Sequence, residues 1–248
     1  MAGYESPPWT ATFAEVRAWG EYAGLVATKP LLDRGPRGDG HSVIVYPGLL
    51  AGDTSTGPLR RYLRRLGYRA RGWSLGVNTG PDPSVIATME RELADEAHRR
   101  GPVSLIGWSL GGIYARHIAR RHPTRVRQVI TLASPFRMGA DDTSRATGTY
   151  RWLLEEKGLD RFSMGPSGPA GVPATSIFTR SDGIVDWRAC IEYPAATTES
   201  IEVASSHFGI GHHPVALWVI ADRLAQPAGG WRPLEPPPLL RPLVRRFG

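Results

Sequence analysis

The strongest constraint on the fold is the alternation of short apolar runs with stretches of helical periodicity. Six short runs are predicted strands, and most of them are rich in β-branched and other apolar residues and bounded by turn residues, as buried strands are. They span 42–46, 68–73, 103–106, 126–132, 174–180 and 199–204. Strands separated by helices are joined by crossover connections and therefore run parallel. The alternation predicts an α/β protein whose mainly parallel sheet, of about six strands, is covered by helices on both faces.

Helices are predicted between most of these runs, because apolar residues recur there at helical spacing. They fall near 54–66, 85–97, 110–122 and 213–224. The rhythm stops over 137–173, a polar insertion with one short helical stretch at 150–157, and insertions of this length are often lids or binding loops. The proline-rich tail from Pro227 is expected to pack as an irregular strap. We interpret 1–248 as a single domain with 137–173 as its lid.

The N-terminal segment is predicted to form an amphipathic helix. Thr12 to Glu15 has the form of a capping box, and Phe13 and Trp19 belong to a series of apolar residues at helical spacing. Pro30 is expected to end this helix, since proline lacks the backbone N–H that a helix interior needs.

Composition narrows the classes of partner and cofactor. The formal net charge is +7, but arginine supplies 28 of the 30 basic residues and is spread over many segments, with no nucleic-acid motif. We therefore expect no nucleic-acid partner. No apolar stretch is long enough to span a bilayer and Met1 to Pro8 lacks the features of a secretory signal, so we expect no stable membrane anchor and a cytoplasmic location. Cys190 is the only cysteine, which excludes an internal disulfide and a thiolate metal cluster, and we expect neither metal nor cofactor.

One short motif suggests nucleophilic chemistry. Gly107-Trp108-Ser109-Leu110-Gly111 lies between a buried strand and an amphipathic helix. A sharp strand-to-helix turn needs residues without bulk beside the serine, and it lifts the Ser109 hydroxyl out of the sheet. The N–H of Leu110, at the positive end of the helix, can stabilise a developing oxyanion.

A serine nucleophile needs a histidine base, itself oriented by a carboxylate. Asp182 follows the strand at 174–180 and His207 follows the strand at 199–204, and active sites of open α/β sheets gather at the carboxyl ends of strands. We therefore assign Asp182 as the acid and His207 as the base. The alternatives are Asp186, Asp141 and Asp142 for the acid, and His212 and His213 for the base.

The chain order Ser109, Asp182, His207, in the settings Gly-Trp-Ser-Leu-Gly-Gly, Ser-Asp-Gly-Ile-Val and Ser-Ser-His-Phe-Gly, resembles the α/β-hydrolase superfamily and its bacterial serine esterases and lipases. The resemblance covers roughly 42–224. It implies a three-layer α/β-hydrolase sandwich and an acyl-serine intermediate that water hydrolyses. It also implies a second oxyanion N–H from Leu49, in the run Pro47-Gly48-Leu49, with Leu50 as the alternative; the family usually has histidine where Pro47 stands.

The substrate is expected to be a lipophilic carboxylic ester, on the basis of apolar residues near the strand ends. The pocket candidates are Leu50, Trp108, Phe136, Trp152 and Phe208, together with Leu49. Ordinary core packing is the alternative role for each aromatic residue. An acyltransferase or thioesterase would use the same triad, and a non-catalytic hydrolase-like binding protein is the alternative of another class. The oligomeric state is not predicted.

Overall fold

The computed structural model describes residues 3–139, 141–156 and 170–247, and its centre is a seven-stranded sheet of order β2-β1-β3-β4-β5-β6-β7. All neighbouring pairs are parallel except β6 with β7. The strands are β1 Ser42–Tyr46, β2 Arg69–Arg71, β3 Val103–Trp108, β4 Val126–Leu132, β5 Ala174–Phe178, β6 Thr198–Val203 and β7 Val244–Phe247. The six predicted strands are all present.

Helices cover both faces of the sheet. They are α1 Trp9–Phe13, α2 Ala18–Leu32, α3 Gly57–Arg65, α4 Pro83–Arg100, α5 Leu110–Arg121, α6 Thr147–Glu156 and α7 Pro214–Leu224. Alternate residues of β1 show the two layers: Val43 and Val45 pack with α2, α3 and α7, whereas Ile44 and Tyr46 pack with α4 and α5. Because side chains of a strand alternate between faces, a strand buried on both sides is apolar throughout. None of the helices that the structure describes is both long enough and apolar enough to cross a bilayer.

The seventh strand corrects the prediction of an irregular tail and belongs to a sheet for which about six strands were predicted. Val244–Phe247 pairs antiparallel with β6 and covers what would otherwise be an exposed edge. Two of its four residues, Arg245 and Arg246, are exposed arginines. A strand this short, with so little apolar character, carries no detectable period-2 signal.

The N-terminal helix also differs from its prediction. The chain is helical from Trp9, through a 3-10 turn at Ala14–Arg17, to Leu32, so Pro30 lies within α2 and does not end it. A proline so near the end removes only one backbone donor, and Leu32 beyond it is buried in the core. The capping-box prediction is wrong, because α1 starts before Thr12 and the side chains of Thr12 and Glu15 bond to distant loops instead.

The predicted insertion at 137–173 is only partly described. Its helical stretch is present as α6, which begins at Thr147, three residues before the predicted start. Residue 140 and residues 157–169 lie outside the described part of the chain, so the role of this insertion as a lid stays a prediction.

Candidate active site

The three proposed catalytic residues follow three strands at the same end of the sheet. Ser109 directly follows β3, Asp182 lies four residues after β5, and His207 lies four residues after β6. Because these strands are parallel, their carboxyl ends share one edge of the sheet. The strand order therefore gathers residues that are far apart in the chain.

Ser109 occupies a strained turn between β3 and α5. Its φ of 52° and ψ of −121° are unusual for a residue with a side chain. The turn is tight enough that a Cβ on Gly107 would strike the backbone of Gly111, and a Cβ on Gly111 would strike the carbonyl oxygen of Tyr46. These contacts explain why glycine flanks the serine on both sides. The hydroxyl is thereby raised at the N-terminus of α5, as the motif predicted.

Two backbone N–H groups near Ser109 are free to bind an oxyanion. Within the described residues, the N–H groups of Leu49 and Leu110 donate no hydrogen bond. The N–H of Leu50, the alternative, donates to the carbonyl of Asn78 at 2.7 Å and is therefore engaged. Gly48 brings the Leu49 loop to the serine, since a Cβ there would lie 3.3 Å from the Ser109 Cβ. The arrangement favours Leu49 over Leu50.

Asn78 orders the loop that carries Leu49, and sequence reasoning missed it. Its side chain is completely buried; Nδ2 donates to the Pro47 carbonyl at 2.9 Å, and Oδ1 accepts from the Tyr114 hydroxyl at 3.1 Å and from the Gly80 N–H at 3.2 Å. Its backbone pairs with Leu50 and with Ala51. In sequence Asn78 stands before Thr-Gly in an unremarkable turn, and no local signal identifies its partners.

Asp182 and His207 form a buried hydrogen-bonded pair. The distance from His207 Nδ1 to Asp182 Oδ2 is 2.8 Å, and each residue is less than 5% exposed. The other carboxylate oxygen of Asp182 accepts the N–H groups of Ile184 at 2.8 Å and Val185 at 2.9 Å. These bonds fix the carboxylate, which in turn fixes the orientation of the imidazole. Nε2 is left as the ring nitrogen available to a reacting group.

The surroundings of His207 raise the pKa of its imidazole above the ordinary value of 6.5. Burial opposes the charged form and is the largest single influence, but it is outweighed by the charge of Asp182, its hydrogen bond, and the charge of Glu15. A base with a raised pKa accepts a proton more readily. The environment therefore suits a histidine that removes a proton from a hydroxyl.

Ser109 and His207 are linked through Trp108. The indole Nε1 of Trp108 donates to the His207 carbonyl at 3.0 Å, which ties the residue before the nucleophile to the loop of the base. Among the described residues, the Ser109 hydroxyl makes no hydrogen bond to His207. Such bonds are often long without substrate and shorten in the reacting complex.

The alternative acids and bases lie in other settings. Asp186 caps a 3-10 turn through the Arg188 N–H, Asp142 accepts the N–H of Tyr4 at 2.7 Å, and Asp141 is exposed. His212 Nε2 lies 3.1 Å from the Ala18 carbonyl, and His213 stands at the N-cap of α7. Among the described residues, none of these five forms a hydrogen bond with Asp182 or His207.

The predicted pocket residues divide into buried and exposed groups. Trp108 is buried against His212, and Phe136 is completely buried under the Arg116 guanidinium, which lies 3.9 Å from its ring centre, so Phe136 does not line an open pocket. Leu50, Trp152 and Phe208 are each more than half exposed, and Leu49 is half-buried. Phe208 lines an apolar groove.

This groove, of about 560 Å³, lies beside the loop of the base. Its walls are mainly apolar and include Phe13, Val16, Trp19, Tyr22 and Phe208. The Phe208 ring meets the His207 ring edge-on, with centroids 5.5 Å apart. Phe208 thus lies between the groove and His207, and most of the groove wall comes from the N-terminal helices, which sequence reasoning did not assign to the site. No group of three or more residues suited to hold a metal occurs among the described residues.

Comparisons with known proteins bear on the fold. No protein-family model matches the chain. Among solved structures, a pyrethroid hydrolase from Sphingobium faniae has a TM-score of 0.56 at 18% identity, covering 76% of this chain and 99% of that chain. The Bacillus licheniformis lipase BlEst2 has a TM-score of 0.53 at 16% identity, covering 76% and 92%. The chain has the α/β-hydrolase fold. At such identities the likeness concerns the α/β-hydrolase fold and not the substrate.

Curated relatives match only short segments of this chain. The biotin biosynthesis bifunctional protein BioHC of Teredinibacter turnerae is 40% identical over 52 residues, which is 21% of this chain and 9% of that protein. A pimeloyl-acyl-carrier-protein methyl ester esterase of Chromobacterium violaceum is 43% identical over 47 residues, 19% of this chain and 18% of that protein. The matches thus span less than a fifth of either relative.

Proposed function

We propose that this protein is a serine hydrolase that cleaves carboxylic esters through Ser109, His207 and Asp182. The observation that carries the proposal is the buried His207–Asp182 hydrogen bond at the sheet end where the Ser109 turn also lies. The names of the structural neighbours, a pyrethroid hydrolase and a lipase, and of the methyl ester esterase relative agree with this chemistry.

The first half of the reaction transfers the acyl group to the enzyme. His207 Nε2 removes the proton from the Ser109 hydroxyl as the oxygen attacks the ester carbonyl. The negative charge that develops on the carbonyl oxygen is stabilised by the N–H groups of Leu49 and Leu110. His207 then gives its proton to the leaving alkoxide, and the alcohol departs. Asp182 holds the Nδ1–H tautomer and stabilises the imidazolium throughout.

The second half returns the enzyme to its starting state. Water enters, loses a proton to His207 and attacks the acyl-serine carbonyl, and the same two N–H groups receive the oxyanion. Collapse of this intermediate releases the carboxylic acid and restores the Ser109 hydroxyl with the proton from His207. An acceptor other than water would make the protein an acyltransferase, and the triad alone does not distinguish the two.

The groove beside His207 supports a lipophilic substrate. Its exposed apolar walls can cover an acyl or alcohol group beside the loop of the base, as small-molecule sites usually do. Burial of each methylene contributes about 0.8 kcal/mol, so kcat/KM should rise by roughly fourfold per methylene until the groove is filled. A series of p-nitrophenyl esters of increasing acyl length measures this slope.

Covalent labelling tests the nucleophile. A fluorophosphonate probe should label the wild type, and Ser109→Ala should abolish both labelling and p-nitrophenyl ester hydrolysis. His207→Ala should reduce kcat at least 1000-fold, in line with the loss of a triad member. His212→Ala is the matched control and should keep most of the activity. Undiminished labelling of Ser109→Ala, or a larger loss from His212→Ala than from His207→Ala, would refute the assignment.

A further inference from the structure

The N-terminal helical segment bonds to both loops of the proposed acid and base. It crosses the sheet end between residues 12 and 21 and places polar side chains on the Asp182 loop and on the His207 loop. A helix would ordinarily bury apolar residues against its own domain. The buried side of this segment instead presents hydrogen-bonding groups to loop backbone.

Glu15 is the centre of these contacts. It is only 6% exposed, and its Oε1 accepts the N–H of Gly183 at 2.8 Å and that of His207 at 3.0 Å. Its Oε2 accepts the N–H of Phe208 at 3.0 Å. One carboxylate therefore joins the residue after the acid to the base itself. Three backbone donors that burial would otherwise leave without a partner are satisfied by a single side chain.

Neighbouring side chains extend the contact in both directions. Thr12 donates to the Gly183 carbonyl at 2.7 Å. Arg17 donates to the carbonyls of Ser181 at 2.6 Å and Ser205 at 2.9 Å, so it also spans the two loops. Glu21 accepts the Ser205 hydroxyl and the Ser206 N–H.

The loop of the acid approaches this segment closely at Gly183. A Cβ on Gly183 would collide with the carbonyl oxygen and carbon of Ala11 and would lie 2.8 Å from the Thr12 Cα. Only glycine permits this approach, which brings Glu15 within hydrogen-bond reach of the Gly183 N–H. The Asp-Gly pair therefore serves a close contact as well as a turn.

We infer that Glu15 is a positioning residue of the active site. By bridging the backbone of the two loops, it keeps the His207 imidazole hydrogen-bonded to Asp182 and directed at Ser109. The inference rests on the proposed function. The charge of Glu15 also contributes to the raised pKa of His207, beside the stronger effect of Asp182. Other charged or titratable groups near these loops, among the described residues, include Arg17, Glu21 and His212, and Cys190 lies near Asp182.

Two substitutions separate positioning from simple stabilisation. Glu15→Gln removes the charge and turns one acceptor into a donor that faces a backbone N–H, and Glu15→Ala removes the bridge. Each should lower kcat for a p-nitrophenyl ester by about 10- to 100-fold with KM changed less than about threefold, because a displacement of about 1 Å at a reacting group costs this much. Asp33→Asn, which removes a carboxylate paired with Lys29 and Arg65 at the other end of the segment, is the matched control and should keep full activity.

A measurement that does not depend on turnover completes the test. An NMR titration of the His207 ring should show its pKa falling in Glu15→Gln, since a negative charge beside the imidazolium is lost, and staying unchanged in Asp33→Asn. If Glu15→Gln lowers only the thermal midpoint and leaves kcat and the His207 titration as in the wild type, the positioning role is refuted. If Glu15→Ala does not fold, Glu15→Gln decides alone. Failure of the wild type to react with a fluorophosphonate would instead refute the proposed function, while the titration would still report on Glu15.

Discussion

Replacing Asn78 with alanine should damage catalysis through the oxyanion loop without touching the triad. The substitution removes three side-chain hydrogen bonds, of which the bond to the Pro47 carbonyl holds the loop that carries Leu49. The Asn78 backbone bonds to Leu50 and Ala51 can remain. The loop should therefore stay near its place but lose its fixed orientation toward the Ser109 turn.

The magnitude follows from the bonds that are lost. Three hydrogen bonds at about 0.5–1.5 kcal/mol each predict a loss of roughly 2–4 kcal/mol in the free energy of unfolding. Complete removal of one oxyanion donor lowers kcat about 100- to 1000-fold. Because the Leu49 N–H would be displaced and not deleted, we expect a loss of about 10- to 100-fold in kcat with a small change in KM.

The control is Tyr114→Phe, which removes only the hydroxyl that Asn78 accepts and leaves the Pro47 bond intact. It should cost about 1 kcal/mol of stability and little activity. Urea unfolding and p-nitrophenyl ester kinetics measure both quantities on each variant. An Asn78→Ala protein that loses stability as expected but keeps kcat within twofold of the wild type would refute the role of Asn78 in the oxyanion loop.

Two further predictions concern buried charge. His207 must be neutral to accept a proton, so its raised pKa places the acid limb of the wild-type kcat/KM profile above pH 6.5. Asp182→Asn removes the main cause of the raised pKa and should move any residual acid limb to lower pH. We also expect it to lower kcat about 10,000-fold. A limb that stays in place would contradict this. Glu192→Gln breaks the ion pair with Arg116, whose atoms lie 2.5 Å apart with both side chains buried, and should cost about 3–5 kcal/mol in urea unfolding. A loss below about 1 kcal/mol in the free energy of unfolding would show that the ion pair contributes little to stability.

The parts of the fold that local patterns determine could be predicted from sequence. β3 is buried throughout and β4 at all but one residue, so apolar residues predominate in both strands and distinguish them from the amphipathic helices. The turn at Ser109 could be predicted because glycines on both sides of a serine, between an apolar strand and an amphipathic helix, form a local sequence pattern; the contact of Gly111 with Tyr46 of β1 is not local. The places of Asp182 and His207 followed from the rule that strand ends gather active sites.

The parts that depend on distant partners could not be predicted. β7 forms because β6 has a free edge to pair with, and the sequence Val-Arg-Arg-Phe alone does not indicate that edge. Asn78 matters through Pro47, 31 residues away, and through Tyr114, 36 residues away. Both are non-local contacts that a reading of neighbouring residues does not contain.

The N-terminal segment is helical, as its periodicity predicts, but its apolar side does not pack against the domain. Phe13, Val16 and Trp19 recur at helical spacing, yet each is more than 70% exposed, while Glu15 on the opposite side is buried. The partners beneath the helix are backbone N–H groups of two loops, and only polar side chains satisfy them, so the apolar side must face outward. An apolar helix face left in solvent marks a binding surface more often than a packing surface. Here it forms the wall of the groove at Phe208, and the same segment that bonds to the His207 loop would thus also contact the substrate.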